Sequence, residues 1–150
     1  MMVTAMNHAG RVDALVDLYE GLSPADVGRF REFYADDVFF KDPFNEVRGV
    51  ARVQRIFSHL FSQLDDPRFV VFDRIVSENG SLLVWEMRFR QKNSNRQGPV
   101  QIIRGASHLK FDVDGQVIWH RDYWDAAEEL YAKLPGIGWL IRLLKRKFAA

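Results

Sequence analysis

The hydrophobic rhythm of this chain changes once, after Leu64. Before that point apolar residues recur every three to four positions, the spacing of a helix with one buried face. Val12, Leu15, Val16, Tyr19 and Leu22 share such a face. Gly21 and the pair Ser23-Pro24 interrupt it, and Ser23 suits an N-cap, Pro24 a first helical residue and Asp26 the positive end of a helix dipole. The spacing therefore predicts a second helix from about Pro24 to Tyr34 that buries Val27, Phe30, Phe33 and Tyr34. Ala35-Asp36-Asp37 ends it, and the segment VFFKDP at 38–43 follows as a short strand. Gly49 precedes a third helix with Val53, Ile56, Phe57, Leu60, Phe61 and Leu64 on its apolar face.

Beyond Leu64 the period becomes two, predicting strands at roughly 68–77, 82–92, 99–111 and 117–124. Glu78-Asn79-Gly80-Ser81, the polar loop Asn93–Gly98 and Asp112-Val113-Asp114-Gly115 join them as hairpins, so the sheet should be antiparallel. A last helix should start near Asp125, followed by the amphipathic basic segment PGIGWLIRLLKRKF. Helices first and a curved meander after them predict an α+β domain, with the helices covering one face of the sheet around a cone-shaped hollow.

Alternation sorts the strand residues. Leu83, Trp85, Met87 and Phe89 form a uniformly apolar face, either plain core or the wall of a pocket. Leu82, Val84, Glu86, Arg88 and Arg90 form the opposite face, suited to an outer surface or a subunit interface. Ile103, Gly105, Ser107, Leu109 and Phe111 should look inward, with Ser107 as a lone polar group. In the final strand Ile118, His120, Asp122 and Trp124 share one side, and Val117, Trp119, Arg121 and Tyr123 the other. His120 and Asp122 project side by side. Inside an apolar cavity they would be an acid–base pair; on the outside, a solvated ion pair.

At 150 residues the chain has the length of one domain, with a core at about 11–130 and a basic extension at 131–150. A net charge of +1 gives no global electrostatic case for nucleic acid, and 13% aromatic residues suit an apolar interior or cavity. Without cysteine there is no disulfide, thiol nucleophile or thiolate metal site. The four histidines stand in no metal-binding spacing, no phosphate-cradling glycine loop is present, and no organic cofactor is expected. The first residues lack a signal-peptide pattern and no apolar run reaches the ~18 residues of a membrane span, so a cytoplasmic protein is expected. For the basic extension, the plain expectation is a helix docked on its own domain. The alternatives are a cap on the pocket mouth or contact with an anionic membrane surface.

The stretch YADDVFFKDPFNEVRG, set between helices, and the closing DGQVIWHRDYWD resemble the nuclear transport factor 2-like superfamily, nearest to its SnoaL-like and ketosteroid-isomerase-like members. The resemblance covers about residues 11–130 and implies a cone-shaped fold with a pocket, commonly dimeric through the outer sheet face. Here Val84, Glu86, Arg88 and Arg104 would supply that face. Against the steroid isomerases, Asp42 matches the general base, Ser107 matches the protonated Asp of the oxyanion hole, and the Tyr position falls on Leu18, one residue from Tyr19. That oxyanion hole is largely missing, which argues against steroid isomerisation. Against limonene-epoxide hydrolase, Asp122 matches a catalytic Asp, while the partner positions hold Met87 and Phe89. The resemblance also implies that His120, Asp122 and Trp124 face the cavity.

Two main readings follow. In one, the protein is an isomerase, dehydratase, cyclase or epoxide hydrolase using Asp42, His120 and Asp122 for acid–base catalysis. Tyr19, Phe40, Trp85, Met87, Phe89, Ser107 and Trp124 would then hold a small apolar substrate. In the other, the same hollow is a non-catalytic ligand- or protein-binding module, and Asp42 is a turn residue bonding amides near Asn45. A mainly structural role, with the interior filled by the protein's own side chains, is a third.

Overall fold

The computed structural model describes residues 2–92, 99–130 and 137–149, with side chains described from His8 onward in the first helix. The predicted loop at Asn93–Gly98 and residues 131–136 lie outside the described residues.

Helix α1 (Met2–Glu20) carries the predicted stripe: Val12, Leu15, Val16 and Tyr19 are buried. Its Arg11 side chain ties it to the rest of the chain, donating to the carbonyls of Gly115 and Glu32, each at 2.9 Å. A 3-10 helix (Pro24–Glu32) follows. At its start the Asp26 carboxylate accepts from the Ser23 amide at 3.0 Å and the Ser23 hydroxyl at 2.7 Å. Those bonds hold the Asp26 carboxyl below its ordinary range.

The helix stops before Tyr34, which opens strand β1 (Tyr34–Lys41) and does not close a helix as the spacing predicted. The cause is non-local. The Val117 amide donates to the Phe33 carbonyl at 2.8 Å, drawing the chain into the sheet at that residue. A three-residue strand β2 (Glu46–Arg48), too short to show a period, pairs with β1. Helix α2 (Val50–Gln63) buries Val50, Val53 and Phe57.

Strands β3 (Leu64–Ser77), β4 (Gly80–Gln91), β5 (Gln101–Phe111) and β6 (Val117–Tyr123) form the antiparallel meander, and β1 joins β6 in parallel. The six-stranded sheet has the order β2-β1-β6-β5-β4-β3 and is open, with β2 and β3 at its edges. Irregular register in β3, at Asp65/Arg68 and Val71/Asp73, breaks the ladder and adds bend and twist to the longest strand. Helices α1 and α2 pack against the concave side.

Leu83, Trp85, Met87 and Phe89 are all buried, as alternation predicts, and Ile103, Ser107 and Leu109 are buried beside them. Strand β6 corrects one phase. Lys110 pairs with Trp119 but Phe111 with Val117, so Ile118 is bulged out. Val117 is therefore 1% exposed and Ile118 40% exposed, the reverse of the predicted alternation, while His120 remains inside. The helix expected after Asp125 is one short turn, α3 (Ala126–Glu129), whose Glu128 amide donates to the Asp125 carboxylate at 3.0 Å. Helix α4 (Gly138–Phe148) touches the domain through Gly138 and Lys145, but most of its apolar side chains are exposed, so the expected docking does not run through its apolar side.

Phe30 is fully buried where the 3-10 helix meets α2 and the sheet, with ring centroids 4.8 Å from Phe57, 5.5 Å from Tyr34 and 5.9 Å from Tyr19. Phe30→Ala is expected to cost about 3–5 kcal/mol, a cavity effect. Urea unfolding followed by circular dichroism measures it; a loss well under 1 kcal/mol, less than a volume-conserving swap costs, would show that this contact is not part of the core.

Candidate functional site

His120 is 2% exposed, so both ring nitrogens have left water and need partners. Nδ1 lies 2.8 Å from the Tyr34 hydroxyl, and Nε2 lies 2.6 Å from Asp122 Oδ1. The Tyr34 hydroxyl in turn meets that of Tyr19 in a short hydrogen bond. From the other side, Ser107 Oγ stands 2.5 Å from Asp122 Oδ1 and accepts the Trp85 indole N–H at 2.8 Å. Six side chains from α1, β1, β4, β5 and β6 thus form one chain of hydrogen bonds.

Its direction follows from donor inventory. A carboxylate only accepts, so with Asp122 ionised the Ser107 hydroxyl and the His120 Nε2–H both donate to Oδ1. With its one proton on Nε2, the ring would accept at Nδ1 from Tyr34, whose oxygen would accept from Tyr19. Trp85 can only donate and satisfies Ser107. Every group has a partner and both arms end on one oxygen, Asp122 Oδ1. Oδ2 takes part in none of these bonds.

Burial is the main reason the Tyr19 phenol is held above its ordinary pKa, with the neighbouring Tyr34, their mutual hydrogen bond and the Asp122 charge adding to it. The Tyr34 phenol is raised chiefly by burial and further by Asp122, against a smaller opposing effect of its bond to Tyr19. Both phenols therefore keep their protons at neutral pH.

Two spaces meet at Asp122. Behind it lies a void of about 20 Å³, bordered by Tyr19, Leu83, Trp85, Ser107 and His120. In front lies a hollow of about 510 Å³ between α2 and the concave sheet. Phe40, Trp85, Met87, Phe89 and Trp124 line it, joined by Phe57, Leu60 and Ile103. Arg55, His59 and Gln63 of α2 are its polar contribution from the helix side. Its volume lies within the ~300–1,000 Å³ usual for small-molecule sites. Gly105 makes the wall possible: a Cβ there would stand 2.7 Å from Trp85 Cη2 and 3.0 Å from Trp124 Cβ. Without a side chain at 105 the Trp85 indole lies flat across β5 and reaches Ser107.

Asp42 occupies the same hollow but outside the hydrogen-bonded chain. Its Oδ1 accepts from the amides of Phe44 at 2.8 Å and Asn45 at 2.6 Å, and the Asn45 side-chain amide reaches both oxygens at 3.1 Å. Its amide donates to the Asn45 carbonyl at 2.9 Å, closing the turn. This is the turn geometry that Asp-Pro-Phe-Asn suggests. Because Phe40 pairs with His120 and Lys41 with Arg121, Asp42 leaves its strand beside Asp122 at one end of the sheet.

Of the residues singled out from sequence, the structure brings His120 and Asp122 into contact, places Tyr19 and Ser107 directly behind them, and puts Phe40, Trp85, Met87, Phe89, Trp124 and Asp42 around the hollow. Tyr34 was missed as a site residue. Its helical spacing put it in a hydrophobic stripe, and only its hydroxyl, in so apolar a setting, signalled that it needs a partner.

The SnoaL-like domain family matches residues 12–120, more than half of the chain. The chain belongs to the SnoaL-like domain family. No curated protein matches its sequence. Among solved structures, this SnoaL-like chain is similar to a presumptive SnoaL-like polyketide cyclase from Jannaschia sp. CCS1, with 18% identity over 83% of this chain and 90% of that one and a TM-score of 0.71. An LEH-like epoxide hydrolase of Mycobacterium tuberculosis gives 14% identity, 93% and 98% coverage and a TM-score of 0.67. An NTF2-like protein of unknown function from Burkholderia pseudomallei gives 18% identity, 81% and 93% coverage and a TM-score of 0.68. At such identities the likeness shows the fold, the cone shared by NTF2-like and ketosteroid-isomerase-like proteins, and this SnoaL-like domain has that fold.

The buried phenols give a pH test. Their native pKa values exceed the unfolded value of about 10, so their contribution to stability is complete below that pH and falls as pH rises through it. Tyr34→Phe should cost about 1–3 kcal/mol at neutral pH, by stranding His120 Nδ1 and the Tyr19 hydroxyl. It should also flatten the alkaline loss of stability. Urea unfolding from neutral pH to about pH 11 checks both; an unchanged alkaline slope would mean the Tyr34 phenol ionises as freely in the native state.

Proposed function

We propose that this protein is a small-molecule enzyme of the general acid–base type, with Asp122 as the group that exchanges a proton with the substrate. The carrying observation is that Asp122 stands between a closed, buried hydrogen-bond chain and an apolar hollow, with Oδ1 fully engaged and Oδ2 left over. A carboxylate fixed on one side and open on the other, at a dry wall, is placed to act as base and then acid. His120 and Ser107 hold it in orientation, and Tyr34 and Tyr19 hold His120 in the tautomer that donates to it. Trp85, Met87, Phe89, Trp124 and Phe40 would hold an apolar cyclic or acyl substrate. Asp42, at the same end of the sheet, positions the Phe44–Asn45 turn as one rim of the site and offers a second carboxylate there.

Proton-transfer isomerisation, dehydration, cyclisation and epoxide hydration all run on such a group, and the set itself calls for no metal or organic cofactor. The cyclase, epoxide-hydrolase and isomerase names among the structural neighbours support this range. A second reading, a non-catalytic binder, draws on Asp42, whose carboxylate is bound within its own turn.

The test uses a cyclic epoxide and a β,γ-unsaturated cyclic ketone as probes, with binding followed by tryptophan fluorescence, since Trp85 and Trp124 line the hollow. Turnover of one probe class is expected, with Asp122→Asn lowering it by about 10²–10⁴-fold while binding stays within a few-fold. Binding without turnover of any probe would favour the binder, and full activity in Asp122→Asn would remove Asp122 from the chemistry.

We also propose a homodimer through the outer sheet face. Ile75, Val84 and Tyr123 are exposed there, flanked by Glu86 paired with Arg88 at 3.1 Å and with Arg104 at 3.4 Å. Sedimentation velocity should find a dimer that Val84→Glu shifts to monomer; a monomeric parent protein would overturn it.

A further inference from the structure

Among the described residues, helix α4 is the one strongly amphipathic element whose apolar side stays in water. Trp139 is 58% exposed, Leu143 47%, Leu144 43%, Leu140 41% and Phe148 80%. At 100° per residue Leu140, Leu143, Leu144 and Phe148 fall within one arc that also holds Lys147; Arg146 lies at its flank, and Arg142 and Lys145 lie on the opposite side. The eleven residues carry four cations and no acid. The whole chain is net +1, so the other residues together are net −3: the positive charge is concentrated in this helix. Gly138 is buried and Lys145 reaches Glu128 at 3.5 Å, so one flank leans on the domain and the apolar arc turns away.

We propose that α4 is a surface anchor for anionic lipid bilayers, lying in the plane of the headgroups. The apolar arc enters the acyl boundary, Trp139 sits at its edge, and Arg146 and Lys147 meet lipid phosphate and carboxylate groups. Charge complementarity selects this occupant. A second copy of the chain docking arc to arc would set Arg146 and Lys147 against their own counterparts across the two-fold axis, with no acid on the helix to pair them. No helix among the described residues is long and apolar enough to cross a membrane, so the contact is peripheral. An enzyme or binder of apolar molecules anchored in this way would have its hollow close to where such molecules dissolve.

The experiment is co-sedimentation of the full chain with phosphatidylcholine vesicles, with and without phosphatidylserine, beside sedimentation velocity without lipid. The protein should bind phosphatidylserine vesicles about tenfold or more tightly than pure phosphatidylcholine, and about 0.5 M salt should release most of it. Leu140→Asp with Leu144→Asp should lose binding by about tenfold or more, and so should Arg146→Gln with Lys147→Gln. These side chains are exposed, so the thermal transition should stay in place in both variants. Absent binding to phosphatidylserine vesicles, equal binding to both vesicle types, or unchanged binding by the Leu140/Leu144 variant would each overturn the proposal. If that variant instead splits a dimer while the parent binds no vesicles, the face belongs to a second copy and the proposal falls.

Discussion

The buried His120 imidazole bonds through both its nitrogens, and the groups that supply those bonds organise the interior. The ring is held between Tyr34 on β1 and Asp122 two residues further along its own strand. Since β1 and β6 run in parallel, the bond from Tyr34 joins the beginning of the domain to its last strand. The polar chain then extends to α1 through Tyr19 and to β4 through Ser107 and Trp85. A half-satisfied network in this setting would cost more than an apolar core. The same low dielectric makes a complete one rigid, and rigidity at Asp122 is what the proposed proton transfer requires.

Around that chain the apolar residues divide into two populations. Those behind it, such as Leu15, Val16, Phe30 and Leu109, pack to nearly zero exposure. Those in front, on α2 and the concave ends of β4 and β5, leave the hollow. The separation comes from curvature. Interrupted register bends β3, the bulge at Ile118 lets β6 bury both Val117 and His120, and Gly105 lets Trp85 lie across the sheet as a partition. A flat sheet with a side chain at 105 would bring α2 down on the strands and close the space.

The polar and apolar surfaces follow the same logic of unequal burial. Ion pairs on the outer sheet face leave Glu86 only 16% exposed while Val84 beside it stands in solvent. Helix α4 keeps a hydrophobic arc uncovered although its sequence is as amphipathic as that of α2, whose arc is buried. The difference is position in the fold. Helix α2 follows a strand it can fold back upon, and α4 comes after the sheet is already covered by α1 and α2.

The sequence by itself determined the inward and outward faces of β4 and β5, the hairpins, the apolar stripes of α1 and α2, and the adjacency of His120 and Asp122. These are local properties: a period of two or 3.6 is written into consecutive residues, and side chains two apart on a strand must be neighbours. Only the tertiary structure decided that Tyr34 is a strand residue and the partner of His120, 86 positions away. It alone set the Asp42 turn beside Asp122 and outside the hydrogen bonds of His120 and Asp122. The parallel pairing of β1 with β6 and the bulge at Ile118 set those relations. Both are choices of long-range register, which depend on how the whole sheet closes over the helices and leave no trace in local spacing.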